Sequence, residues 1–162
     1  MKKAIYSGTF DPITNGHMDI INRALSIFDE VVVAIATNQT KKPMFDIDSR
    51  VKLASLAIKN KPNVKVVAFD CLLVDFASSL GISHIVRGLR AVSDFEYELQ
   101  MGYANSSLSK TIQTIYFMPS LQNAFVSSSV VRQLIQYKGT IEHLVPKETT
   151  KDIFEIYYNR GS

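Results

Sequence analysis

Five short apolar runs rich in β-branched residues alternate along this chain with six stretches of helical periodicity, and that alternation limits the fold more than any other feature. The runs are 2–7, Val31–Ala36, Val64–Phe69, His84–Val86 with its flanks, and Thr114–Met118. The periodicity predicts helices over 17–28, 49–60, 73–80, 94–108, 129–137 and 147–158. Strands that read as continuous apolar segments are buried on both faces, and strands separated by helices pair in parallel. The expected fold class is therefore α/β, a single doubly wound parallel sheet of about five strands with helices on both faces. Ligands bind such sheets beyond the carboxyl ends of the strands, at a switch in strand order. Four loops should meet there: Ser7–Gly16, Thr37–Phe45, Arg87–Ala91 and Pro119–Ser129.

At 162 residues the chain reads as one domain, 1–162, with enough residues for a substantial core. Its 46% hydrophobic and 20% charged residues exclude disorder. A net charge of +3 demands neither nucleic acid nor membrane. Cys71 is the only cysteine, which rules out an intrachain disulfide and a thiolate metal cluster. The apolar run after Lys2 and Lys3 stops at Gly8, too short for a signal peptide, and no segment approaches the ~20 apolar residues of a membrane helix. A cytoplasmic protein with no nucleic-acid or membrane partner is expected.

Four segments carry residues suited to phosphate chemistry. In Ser7–His17 a glycine-bearing loop follows a strand and opens a helix whose Met18, Ile21, Leu25 and Phe28 recur at helical spacing. Gly8 and Gly16 are expected to let the backbone approach a ligand, the helix start offers N–H groups to an anion, and His17 adds a donor tunable near neutral pH. The second segment, Asn38–Pro43, holds Lys41 and Lys42, which read either as solvated charge or as a reach toward phosphate if strand two lies beside strand one. The third, Ile85–Ala91, ends a buried strand with Arg87, Gly88, Leu89 and Arg90. A partly buried guanidinium needs an anion, and with no acidic residue near Arg87 in sequence a bound phosphate fits better than a remote carboxylate. Just beyond, Ser93 and Glu96 form a capping-box pattern, and Glu98 reads by itself as a surface carboxylate. The fourth, Phe125–Arg132, puts Ser127, Ser128 and Ser129 at a helix start, as an N-cap or as phosphate donors. Arg132 in that first turn opposes the helix dipole and so needs a reason to be there.

The string Gly8-Thr9-Phe10-Asp11-Pro12-Ile13-Thr14-Asn15-Gly16-His17 resembles the signature of the nucleotidyltransferase superfamily that includes the class I aminoacyl-tRNA synthetases, whose version reads H-I-G-H. Within that Rossmann-like superfamily the chain is similar to the bacterial phosphopantetheine adenylyltransferase family. The likeness continues through K-K-P-M-F at 41–45, R-G-L-R at 87–90, the serines at 127–129 and Gly139–Pro146. Two departures stand out: Ser7 replaces the family's usual proline, and Asn123-Ala124 replace an aromatic residue and a serine or threonine.

The resemblance implies transfer of AMP from ATP to 4′-phosphopantetheine. It implies His17 and Lys41 at the α-phosphate, Thr9 positioning the attacking phosphate, and Arg87 binding the acceptor's phosphate. Arg90 with Ser127, Ser128 and Ser129 would hold the β- and γ-phosphates, and Leu73 would meet the pantetheine arm. Phe10, Gly88, Leu89, Glu98, Asn123, Ala124, Phe125 and Val126 would complete the ATP site. Mg2+ would arrive on the nucleotide, since no acidic cluster is dedicated to it. Two other readings stay open: a nucleotidyltransferase of the same fold with nicotinamide mononucleotide or glycerol phosphate as acceptor, and a regulatory module that holds ATP without turnover. Finally, the 94–108 helix carries two apolar stripes, Phe95, Leu99 and Tyr103 on one and Tyr97, Met101, Ala104 and Leu108 on the other. One stripe should face the core. The second points to an oligomer, which the resemblance makes a homohexamer, unless the C-terminal helix covers it.

Overall fold

The computed structural model describes residues 1–37 and 42–159, the side chains of Val92 and Ser93 excepted. The elements run β1 (Lys3–Gly8), α1 (Asn15–Leu25), β2 (Glu30–Ala36), α2 (Ile47–Ala57), β3 (Val64–Phe69), α3 (Leu73–Leu80), β4 (His84–Gly88), α4 (Val92–Leu108), β5 (Gln113–Phe117), α5 (Ser128–Gln136) and α6 (Thr150–Asn159). The strands form one sheet in the order β3-β2-β1-β4-β5, with every pair parallel. Strand order reverses between β1 and β4, which is where a ligand crevice opens in a doubly wound sheet.

The apolar strands follow from burial on both faces. Along β1 and β2, Ala4, Tyr6, Val31, Val33 and Ile35 enter one core with Ile20, Ile21 and Ala24 of α1 and Ala54 and Ala57 of α2. The intervening Ile5, Val32 and Ala34 enter the other core with Val74 and Ala77 of α3 and Ile85 of β4. Side chains alternate across a strand, so a strand with cores on both sides has no polar positions left. A third cluster gathers Val131 and Ile135 of α5, Leu144 and Val145 of the segment between α5 and α6, and Ile153 of α6 around Phe45 and Leu53. The C-terminal helix thus docks toward α2.

Helix ends depart from the periodicity where caps decide. α1 starts at Asn15 because Thr14 caps it, and it stops at Leu25, with Phe28 still in the core. α2 starts early because the Asp46 carboxylate accepts from the Ser49 N–H at 2.8 Å. The capping box expected at Ser93 and Glu96 does not start α4: Ala91 holds the cap position and Ser93 is already helical.

α4 also overturns the expected core stripe. Phe95, Tyr97, Leu99, Met101, Tyr103 and Leu108 are all exposed, so neither apolar stripe packs into a core; Phe95, Leu99, Tyr103 and Leu108 line neither cleft, while Tyr97 and Met101 stand at the mouth of one. The inward positions are Asp94, Glu98, Gly102 and Asn105, which line clefts rather than a core. No helix among the described residues is long and apolar enough to cross a membrane.

Candidate active site

Two clefts open at the carboxyl ends of β1 and β4 and share a wall. The first, of about 230 Å³, is lined by the loop after β1, His17, Gly88, Arg90, and Val126–Ser129 at the start of α5. The second, of about 320 Å³, reaches Phe69, Leu72, Leu73, Asn105, Thr114 and Tyr116. Ser7, Gly8, Thr9, Arg87 and Glu98 belong to both. Two adjoining chambers with one charged partition suit a reaction between two ligands.

His17 is the most constrained group in the first cleft. It is the third residue of α1 and closes a reciprocal cap: the Thr14 N–H donates to its Nδ1 at 2.9 Å, while its own N–H donates to the Thr14 hydroxyl. A ring nitrogen that accepts a backbone N–H carries no proton, so the neutral ring bears its proton on Nε2. Burial, then the cations Arg90 and Arg87, lower the imidazole pKa to about 3. The Phe10 ring lies 4.6 Å away, centroid to centroid. His17 is therefore a fixed neutral donor, and the expected tunability near neutral pH is not what this site provides.

The cap also uses up donors expected for an anion. Of the first three N–H groups of α1, that of Asn15 donates to the Leu144 carbonyl and that of His17 to Thr14. The two glycines also answer a demand of the protein's own packing. A Cβ on Gly16 would lie 2.7 Å from the Val126 carbonyl oxygen, and one on Gly8 would lie 3.1 Å from the Phe10 ring. Gly16 thus abuts backbone and Gly8 a side chain, and both also line the first cleft.

Arg87 leaves β4 with the remote carboxylate that sequence had made the weaker alternative. Glu98, on the inward face of α4 and 7% exposed, takes Nε at 2.9 Å and Nη2 at 2.5 Å in a bidentate pair. Arg87 Nη1 donates to the Ser7 carbonyl. Burial pulls the Arg87 pKa down, but Glu98 outweighs it and holds the pKa above the usual value. These bonds leave two of the five guanidinium N–H groups for a ligand. Glu98 is thus an interior residue, not the surface carboxylate its lone position suggested.

At α5, Ser127 is the N-cap, its hydroxyl accepting from the Val130 N–H at 3.2 Å. Ser128 donates to the Pro12 carbonyl, and Ser129 accepts from Arg132. Arg132 has its reason within the protein: it donates to the Asp11 carbonyl at 2.8 Å and lies 3.7 Å from the Asp11 carboxylate. Arg90 pairs with Asp94 at 3.4 Å, half-exposed at the rim.

The structure brings together Thr9, Phe10, His17, Arg87, Gly88, Arg90, Glu98, Val126, Ser127, Ser128 and Ser129, with Leu73 in the second cleft. Leu89, Asn123, Ala124 and Phe125 line neither cleft. Leu89 is held by its N–H on the Phe117 carbonyl, and Asn123 donates to the Ser120 hydroxyl. Lys41 lies outside the described residues, although β2 does pair with β1, as its proposed reach requires.

The cytidylyltransferase-like family profile matches residues 5–134. A phosphopantetheine adenylyltransferase of Helicobacter hepaticus is 56% identical over 160 residues, covering 98% of this chain and 97% of the relative. Those of Nautilia profundicola and Wolinella succinogenes are 58% and 61% identical, covering 93% and 90% of this chain and 98% and 90% of theirs. The chain belongs to the phosphopantetheine adenylyltransferase family. Membership accounts for a cleft that gathers T-x-G-H, R-G-L-R and the serine run at one strand-order switch.

Sequence reasoning passed over Asp11 and Arg50. Both are buried, at 4% and 2% exposure. A readable signal existed for Arg50: with Leu53, Ala54 and Ala57 it completes an inward stripe at helical spacing, where an arginine is out of place.

Proposed function

We propose that this chain transfers the adenylyl group of ATP to 4′-phosphopantetheine, giving dephospho-coenzyme A and pyrophosphate. The observation that carries this reading is the pair of clefts sharing Thr9 and Arg87, with a neutral imidazole donor on the nucleotide side. An oxygen of the acceptor phosphate attacks the α-phosphorus in line; the bond to the bridging oxygen breaks and pyrophosphate leaves. The nucleophile is already an anion, so no general base is needed. Catalysis then consists of bringing two polyanions together and stabilising the charge that builds on the α-phosphate.

In this reading His17 Nε2–H and Lys41 hold the α-phosphate. Arg90, the Ser127–Ser129 hydroxyls and the N-terminus of α5 hold the β- and γ-phosphates. Thr9 orients the attacking phosphate, and the two free N–H groups of Arg87 bind it. Leu73 contacts the pantetheine arm. Phe10, Gly88, Glu98 and Val126 line the rest of the nucleotide side, and Leu89, Asn123, Ala124 and Phe125, which line neither cleft, reach the nucleotide from the segments that flank those residues in sequence. The chain's own residues do not fit a resident Mg2+: Asp94 is paired with Arg90, Glu98 with Arg87 and Asp11 with two backbone N–H groups. Mg2+ enters with ATP as part of the substrate. The setting is the cytoplasm, and the assembly is a homohexamer whose contacts use the outward face of α4.

Pyrophosphate release tests this reading with ATP and, in turn, 4′-phosphopantetheine, nicotinamide mononucleotide and glycerol phosphate. Release with the first acceptor alone is expected. Release with another acceptor alone, or ATP binding without release, contradicts it.

A further inference from the structure

Arg50 turns three of its five guanidinium N–H groups to backbone carbonyls. Its Nε donates to the Phe45 carbonyl at 3.0 Å, and its Nη1 donates to the Thr9 carbonyl at 2.9 Å and the Ala36 carbonyl at 2.8 Å. It lines neither cleft. Burial lowers its pKa, with Asp11 and Asp46 opposing. A buried cation is costly to keep, so its place on an otherwise apolar stripe calls for a reason.

The three carbonyls belong to three segments: the loop after β1, the end of β2, and the residue just before the Asp46 cap of α2. A planar guanidinium fixes all three relative to one another, as a flexible ammonium would not. Asp11 supplies the opposite half of the brace. Its two carboxylate oxygens accept from Met44 N–H at 2.8 Å and Phe45 N–H at 2.9 Å. The loop after β1 is thereby joined twice to the segment leading into α2.

The Thr9–Phe10 peptide is trans, so the Phe10 N–H is directed opposite to the Thr9 carbonyl. Phe10 itself sits at φ 49°, in the left-handed region that an L residue seldom adopts. By holding the Thr9 carbonyl, Arg50 sets the orientation of an amide at the rim of the first cleft and the placement of the Thr9 side chain between the two.

We propose that Arg50 is a positioning residue for adenylyl transfer, acting through Thr9 and the Thr9–Phe10 amide without touching either substrate. This rests on the function proposed above. Wild type, Arg50→Met, Arg50→Lys, Thr9→Ala and the Thr9→Ala double variants are compared in steady-state kinetics and thermal unfolding. Arg50→Met keeps the apolar stem; Arg50→Lys keeps the charge without the fork and is read if the methionine variant does not fold. Each should lose turnover on the order of tenfold to a hundredfold below its unfolding range, the scale of a misplaced reacting group. On the Thr9→Ala background the loss should shrink to within about threefold, because the two residues act as a unit. Equal losses in both backgrounds, or wild-type turnover with only a lower unfolding midpoint, overturn the proposal. An inactive wild type sinks the parent reading and this one with it; an active wild type with additive losses sinks this one alone.

Discussion

His17 shows how much one residue carries and how little of that sequence discloses. Its position at a helix start was legible, because T-x-G-H between a strand and an apolar stripe leaves little freedom. Its protonation state was not, since that depends first on burial and then on Arg90 and Arg87, both distant in sequence, while the Thr14 N–H only seats Nδ1. His17→Ala should lower turnover by on the order of a hundredfold or more with little change in ATP binding, because the donor matters when charge develops on the α-phosphate. Single-turnover rates beside equilibrium ATP titration check this, and parallel losses in both would contradict it. The depressed pKa also has a stability consequence. The unfolded ring takes a proton near pH 6.5 while the folded ring resists down to about 3, so the folded state gives up stability as pH falls through that window and keeps it above. Urea unfolding between pH 7 and pH 5 should show this decline in wild type and a flatter profile in His17→Gln. Arg87 was legible as a buried cation in need of an anion, but Glu98 lies a strand end and a helix turn away, beyond the reach of local spacing.

Among the elements, the strands were the most legible, because cores on both faces keep the middles of β1 and β2 wholly apolar. α4 was the least. Its length was readable, but its sense was reversed: the side toward the molecule is Asp94, Glu98, Gly102 and Asn105, and of the apolar residues only Tyr97 and Met101 reach a cleft while Phe95, Leu99, Tyr103 and Leu108 are turned out. Periodicity finds an apolar face without saying what it faces. Here the inward face walls the clefts and holds Arg87, a demand set by the site and not by core packing. The junction of α1 with the segment before α5 makes a separate, steric demand. Gly16→Ala would push a Cβ to within 2.7 Å of the Val126 carbonyl, where backbone must yield. A loss of roughly 1–3 kcal/mol in chemical denaturation is expected, the usual scale of overpacking, together with weaker ATP binding as Val126–Ser129 shift. An unchanged unfolding midpoint would contradict this close contact.

At the scale of the molecule, the order β3-β2-β1-β4-β5 turns scattered loop motifs into one site, since the loops after β1, β4 and β5 open on the same crevice. α6 gathers with α5 around Phe45 and Leu53, leaving Tyr97 60%, Tyr103 70% and Leu108 60% exposed on α4. So large an apolar face is expected to be covered by other copies of the chain. Light scattering on a sizing column should give a particle several-fold heavier than the 18.1 kDa chain, and Tyr103→Glu with Leu108→Glu, at two exposed positions that line neither cleft, should shift it toward smaller species. A wild-type monomer at micromolar concentration would leave the α4 face unexplained. In the proposed reaction the shared partition of the two clefts joins an adenylyl group to an acceptor phosphate. Mass spectrometry of the acceptor after incubation with MgATP tests it most directly. 4′-Phosphopantetheine should gain one adenylyl group for each pyrophosphate released; an acceptor of unchanged mass, with ATP either intact or hydrolysed, would contradict this reaction.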